Sequence, residues 1–375
     1  MMWLVSMVTG CLSGGAPLPQ QAPIQVQLVV HVDPLIRGAS EACINPDLER
    51  CGSLRGESFA RRTNNLAWLV QDWLTGQRTM DIQVGPDAAL AWTKEPGVLG
   101  DIAEDLGMEA ATGAADQGWN LLNLAVSNGS ATLGVHGHDQ VQDADGRWGE
   151  VPGADPREPC LGTEDGPLME WVLAEHVEAV AALADSLDAP LLSLSSHVPR
   201  TMANKILAAT DPDALDPSTD RTFSDRFRPI SLGNAMSSCF SLVADHPPFE
   251  TYKGSPDGPL LAGDGPMVVP AVRVVGSMAP HFGMKRDGSL PAAKRRLIQL
   301  LVNWRYAALG QPSERPWTFT FHAHLFDLQE GMPNVFSSSD RQLDPAKGQS
   351  YRQELKEIGH LVDRLVGQSE WNGVL

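Results

Sequence analysis

QVQLVVHVDP, residues 25–34, is the stretch on which the fold turns. Its apolar core, Leu28-Val29-Val30 with Val32, is short, rich in β-branched residues and stopped by Asp33-Pro34. It reads as a buried strand rather than a helix. Working outward, further short strand-like runs appear with helical patterns between them. Residues 59–74 read as a helix with Leu66, Leu69, Val70 and Trp73 on one face and Gly76 as its stop. Residues 79–84 (TMDIQV) and 131–136 (ATLGVH) read as the second and third strands. A helix over 168–187 leads into a strand over 190–195 (PLLSLS), and 268–275 is another apolar run. Residues 290–309 read as a helix with Leu297, Leu300, Leu301 and Trp304 on one side; 318–321 (TFTF) is a last strand and 351–366 a last helix. Strands alternating with helices imply a mostly parallel α/β sheet. The number of units points to a closed or nearly closed, distorted (β/α) barrel rather than an open doubly wound sheet. Residues 141–167 and 201–266, rich in Asp, Pro, Gly and Ser, read as long loop insertions over one end of it.

The 375 residues are 42% apolar, enough for one large core over residues 24–375. Acidic residues outnumber basic ones 46 to 28, for a net charge of −18. Such a surface repels phosphate backbones and argues against nucleic acid as a partner.

Residues 1–10 are largely apolar, uncharged and too few to span a bilayer. They end in Val8-Thr9-Gly10-Cys11, and two small residues before a cysteine resemble the lipobox of bacterial lipoproteins. The resemblance implies a signal peptide over 1–10, acylation of Cys11 and a flexible tether over 11–23. It also implies an exported protein whose only membrane attachment is the lipid. Leu12, where an acidic residue would mark inner-membrane retention, implies sorting to the outer membrane. No Lys or Arg precedes the apolar run, and a plain signal peptide containing a cysteine is the alternative. Removing Cys11 leaves Cys43, Cys51, Cys160 and Cys239, an even number suited to an oxidising compartment. Cys43 and Cys51 flank a short loop and are expected to pair, leaving Cys160 with Cys239. Thiolate metal binding is the weaker alternative, because no C-x-x-C spacing is present.

In β/α barrels the chemistry sits at the C-terminal ends of the strands. The first strand ends in His31-Val32-Asp33-Pro34 and the third in His136-Gly137-His138-Asp139-Gln140. The strand over 190–195 is followed by Ser196-His197-Val198-Pro199-Arg200, and the last ends in His322-Ala323-His324. Six of the ten histidines would meet at one mouth. A carboxylate with two imidazoles suits Zn²⁺ or a similar divalent ion. A lone histidine is more often structural, but H-x-H at a strand end puts both rings on one side. His176, inside a helical pattern, reads as packing; His246, His281 and His360 stay unassigned.

This layout resembles the polysaccharide deacetylase (NodB-homology) family. His31-Val32-Asp33-Pro34 takes the place of its acidic motif after the first strand. Residues 79–85 look like its second strand, and residues 131–140 fall where its histidine-bearing third strand lies. Pro199-Arg200 is similar to its Arg-Pro motif, and residues 319–324 with 351–366 match its closing strand and helix. The resemblance implies a carbohydrate polymer as substrate, and a divalent metal, zinc first, held by Asp33, His136 and His138. It implies His322 or His324 as general acid and His197 with Arg200 at the substrate. Asp33 and the His136/His138 pair would leave the first and third strands as neighbours. Two departures stand out. Val32 replaces one of two adjacent aspartates, so the base would fall to His31 or Asp139, and Gln140 replaces the second metal histidine. A non-catalytic envelope lipoprotein that uses the fold to bind glycan or a protein is the alternative reading. An amidohydrolase is a third, poorly matched because His31-Val32-Asp33 is not its H-x-H opening.

Overall fold

The computed structural model describes residues 24–35, 55–74, 78–137, 140–142, 148–150, 166–196, 227–233, 252–255, 258–269 and 317–328, with 352, 355–357, 359–360 and 363–364 near the C terminus. Among these the chain is mixed α/β with a largely parallel sheet. The strands are β1 (Ile24–Val32), β2 (Met80–Val84), β3 (Ala131–Gly137), β4 (Gln140–Gln142), β5 (Trp148–Glu150), β6 (Leu191–Ser196), β7 (Phe227–Gly233), β8 (Tyr252–Ser255), β9 (Gly258–Val269) and β10 (Trp317–His324). One sheet has the order β10-β1-β2-β3-β6-β7-β9-β8, parallel throughout except for the antiparallel β8–β9 pair. β4 and β5 form a separate antiparallel pair.

The helices are α1 (Arg55–Trp68), continued by a π-helical turn over Leu69–Trp73, α2 (Pro86–Trp92), α3 (Pro96–Leu106), α4 (Met108–Ser127) and α5 (Gly166–Ser186). Each has a local cause. α1 buries Phe59 and Leu66, and the apolar row continues through Leu69 and Trp73 at helical spacing. Proline stands in the first turn of α2 and of α3, where its missing N–H costs nothing. Glu95 caps α3 by accepting from the Val98 amide at 2.8 Å. Gly107, at φ +78°, turns the chain between α3 and α4, a conformation that favours glycine.

The expected strands at 25–32, 79–84, 131–136, 190–195 and 318–321 and the helices at 59–74 and 168–187 match observed elements within a few residues. Helical residues at 352, 355–357, 359–360 and 363–364 fall inside the expected last helix. The expected helix at 290–309 lies outside the described residues, as does the apolar run beyond Val269. Two readings need correction. Residues 201–266 are not only insertion, because β7, β8 and most of β9 lie within them and join the main sheet. The first and third strands are not neighbours, because β2 pairs with both and stands between them. The described sheet has two ends, β10 and β8.

The faces of the central strands differ in character. Side chains alternate across a strand. Leu28, Val30, Val32, Met80, Ile82, Val84, Leu133 and Val135 point to one side, in a single core cluster with residues of all five helices. His31, Asp81, Gln83, His136 and Ser193 carry the other face, and they too are almost completely buried.

Candidate active site

Parallel strands present their C-terminal ends together, so His31 and Asp33 from β1, His136 from β3 and His324 from β10 lie at one end of the sheet. In register, His31 stands opposite His324 on one side and Gln83 on the other. Asp33 forms the centre. The His324 Nδ1 donates to its Oδ2 at 2.8 Å, and His136 Nε2 lies 3.7 Å from its Oδ1. The His31 ring stacks on His136, with centroids 4.1 Å apart and planes 22° apart, and meets His324 edge-on at 5.2 Å. Asp33, His31 and His136 are at most 1% exposed. Although β2 separates β1 from β3, the two ends lean close enough for Asp33 and His136 to share one space.

This donor set suits a metal in part. A separation of 3.7 Å exceeds a hydrogen bond, yet two ligands each about 2.0–2.2 Å from one tetrahedral zinc stand at a comparable distance. Among the described residues, no group of three or more His, Cys, Asp or Glu side chains is arranged to hold a metal ion. The third expected ligand, His138, lies outside the described residues, as do Asp139, His197, Arg200, Cys11, Cys43 and Cys51. His322 occupies β10 in register with Val29. His176 is buried against Trp148, in keeping with a packing role, and His360 Nδ1 lies 3.3 Å from Arg78 Nη2.

Comparison with protein-family models and with curated proteins gives no match. Among solved structures, the chain is similar to a protein classed as a polysaccharide deacetylase from Mycobacterium smegmatis. The identity is 11%, over 97% of this chain and 96% of that one, with a TM-score of 0.37. It is also similar to the 4-alpha-glucanotransferase from Thermococcus litoralis, at 12% identity over 94% of this chain and 39% of that one, with a TM-score of 0.39. These are weak resemblances of fold, and neither bears on activity.

The turn that carries Asp33 is clamped from three directions. The Gly85 amide donates to the Val32 carbonyl at 2.8 Å, and Arg62 Nη2 to the Pro34 carbonyl at 2.9 Å. Asp87 accepts from the Leu35 amide at 2.8 Å. A Cβ on residue 85 would come within 2.9 Å of the Val32 carbonyl oxygen, so the approach of β2 to this turn needs glycine. Sequence reading missed Arg62 and Asp87. A signal existed in Gly85-Pro86-Asp87, which couples a strand end to a helix start.

Below the histidines lies a second buried group, also missed. The Asp81 carboxylate accepts from Ser193 Oγ at 2.8 Å, Gln83 Nε2 at 2.8 Å and Thr132 Oγ1 at 3.0 Å. Gln83 Nε2 also donates to Ser193 Oγ at 3.2 Å. Gly134 makes room for Ser193, since a Cβ there would lie 2.7 Å from the Ser193 carbonyl oxygen. Desolvation pushes the Asp81 carboxyl up to about 6, against the pull of its three hydrogen bonds. The signal was the strict alternation of Met80-Asp81-Ile82-Gln83-Val84, in which every second residue is polar.

Proposed function

We propose that this chain is a metal-dependent carbohydrate deacetylase-like hydrolase, lipid-anchored at the cell envelope through Cys11. The observation that carries the reading is Asp33 set between two imidazoles at the C-terminal end of a parallel sheet, with His136 at a spacing suited to shared metal ligation. The strand order supports a barrel. It runs in one direction from β1 to β9, and β10 returns beside β1 without the reversal of a doubly wound sheet. A barrel interior would also account for the burial of the polar face opposite the helices.

In this reading Asp33 and His136, with His138, would hold the metal, which would supply polarisation of an acyl carbonyl and activation of a water. Asp33 Oδ2 fixes the His324 ring through Nδ1, which directs Nε2 to the reacting groups. Water adds to the acyl carbon, and the bond from that carbon to the sugar nitrogen or oxygen breaks. His324 Nε2 delivers a proton to the departing atom as general acid. His31, stacked on His136, is the nearest further imidazole among the described residues and takes the base role in this reading. Val32 is packed in the helix-side core, so no acid at that position could face the site. That observation favours the second reading, a non-catalytic envelope lipoprotein that binds glycan or a partner protein.

Metal analysis of protein starting near Ala22 separates the two. The hydrolase reading expects about one zinc per chain, lost in His136→Ala. It expects His324→Ala, like His322→Ala, to keep zinc while abolishing release of acetate from a chito-oligosaccharide. Protein free of metal after zinc supplementation leaves the binding reading.

A further inference from the structure

The turn that follows His324 is held by side chains remote from it in sequence. β10 ends at His324 and runs directly into a 3₁₀ turn, Leu325–Leu328. Within the described sheet β10 pairs only with β1, so strand pairing fixes it from one side. The last carbonyls of a helical turn need outside donors, and an earlier one has a second lone pair that can accept a further hydrogen bond. Asn65 of α1, almost fully buried, donates through Nδ2 to the Leu325 carbonyl at 2.7 Å. Arg352 donates through Nε to the Leu328 carbonyl at 2.6 Å and through Nη2 to Asn65 Oδ1 at 2.8 Å. The guanidinium also lies over the Trp68 ring, 5.3 Å from its centroid. One planar fork therefore joins α1, the C-terminal helical segment and the turn in a single arrangement.

We propose that Asn65 and Arg352 are positioning residues for His324. They pin the first and last carbonyls of the turn and so set where the imidazole meets Asp33. Asn65 grips the residue next to His324, so an error there passes to the ring over a single peptide unit. Leu325 and Leu328 are fully buried, which leaves the turn little freedom except at these two carbonyls. Outer groups of this kind orient a reacting side chain without touching substrate. The inference rests on the hydrolase reading only for its activity arm.

Two variants test it in the full-length chain. Asn65→Asp keeps the acceptor for Arg352 but sets a carboxylate oxygen against the Leu325 carbonyl. Arg352→Lys keeps a cation near Trp68 but cannot reach two acceptors as a fork. With histidine labelled in ¹⁵N, the His324 Nδ1 resonance reports its contact with Asp33, and Asp33→Ala supplies the reference for a lost contact. Both variants are expected to unfold within a few degrees of the parent while the His324 signal moves toward that reference. With a chito-oligosaccharide as probe, kcat should fall about 10–100-fold with KM little changed. A folded Asn65→Asp or Arg352→Lys protein with an unmoved His324 resonance would overturn the proposal. If one variant fails to fold, the other decides. A parent chain without deacetylase activity would remove the hydrolase reading yet leave the resonance test intact.

Discussion

Replacing Asp81 by asparagine should change the pH dependence of stability. Asp81 is completely buried, and no cation is among its described partners. Its carboxyl lies near 6 in the folded chain, against 3.8 for an ordinary aspartate. The folded state therefore holds this proton more tightly than the unfolded state. Between pH 4 and 6 the unfolded chain gives it up first, so stability falls as pH rises. At 1.4 kcal/mol per pH unit the full loss is about 3 kcal/mol, complete above pH 6 and absent below 4. Asparagine stays neutral at every pH. It also needs an acceptor for its own N–H group, which Gln83 can supply by turning its amide over, at the cost of the contact with Ser193. That rearrangement adds an offset of about 1 kcal/mol, which does not depend on pH. Urea unfolding of both proteins, followed by tryptophan fluorescence at intervals from pH 4 to 8, gives the difference directly. The variant should gain about 3 kcal/mol on the parent across that range. A flat difference would refute the reasoning. One of the opposite slope would mean that the three hydrogen bonds outweigh desolvation and hold the carboxyl below its ordinary value.

Three further outcomes are expected. Gly134→Ala should lower stability by about 1–3 kcal/mol, because the new methyl meets a backbone carbonyl of β6 that cannot move aside; an unchanged thermal midpoint would argue against the β3–β6 register. Cys11→Ala should shift the protein from the membrane fraction to the soluble periplasm, and unchanged fractionation with no acyl label on the parent rejects the anchor. Peptide mapping without reductant should recover Cys43 joined to Cys51, and two free thiols in protein from an oxidising compartment reject the pairing.

The helix-facing half of the fold was legible because its signals are local. QVQLVVHV and TMDIQV announce strands by composition and period, and Leu66, Leu69 and Trp73 repeat at helical spacing. The helices over residues 86–127 escaped because Pro, Gly and Ala dominate their sequences, so the apolar stripe is carried by small residues such as Ala111, Ala115 and Ala125. β7, β8 and β9 escaped because RPISLG and GPLLAGDGPMVV mix Gly and Pro with apolar residues and resemble loop. At the site, Asp33, His136 and His324 were readable as polar residues at the ends of strands. Asp81 showed only as the polar half of an alternating strand, because its partners Thr132 and Ser193 lie on other strands and no spacing along the chain connects them to it.

The clamps around the site were harder to read than its side chains, for a chemical reason. Four of the five grips on the Asp33 and His324 turns end on a backbone carbonyl, those of Val32, Pro34, Leu325 and Leu328, and the fifth ends on the Leu35 amide. Almost every residue offers these groups, so the clamped positions leave no mark in the sequence. The specificity lies entirely in the gripping groups: Gly85 for closeness, Arg62 and Arg352 for reach, Asp87 and Asn65 for polarity. Removing a gripping side chain strands a buried backbone group, and that costs more than the hydrogen bond itself contributes. Changing the gripped residue leaves the backbone acceptor in place. Substitutions at Arg62 and Asp87 should therefore disturb the site more than a similar-sized change at Pro34, although Pro34 stands next to Asp33 in the chain.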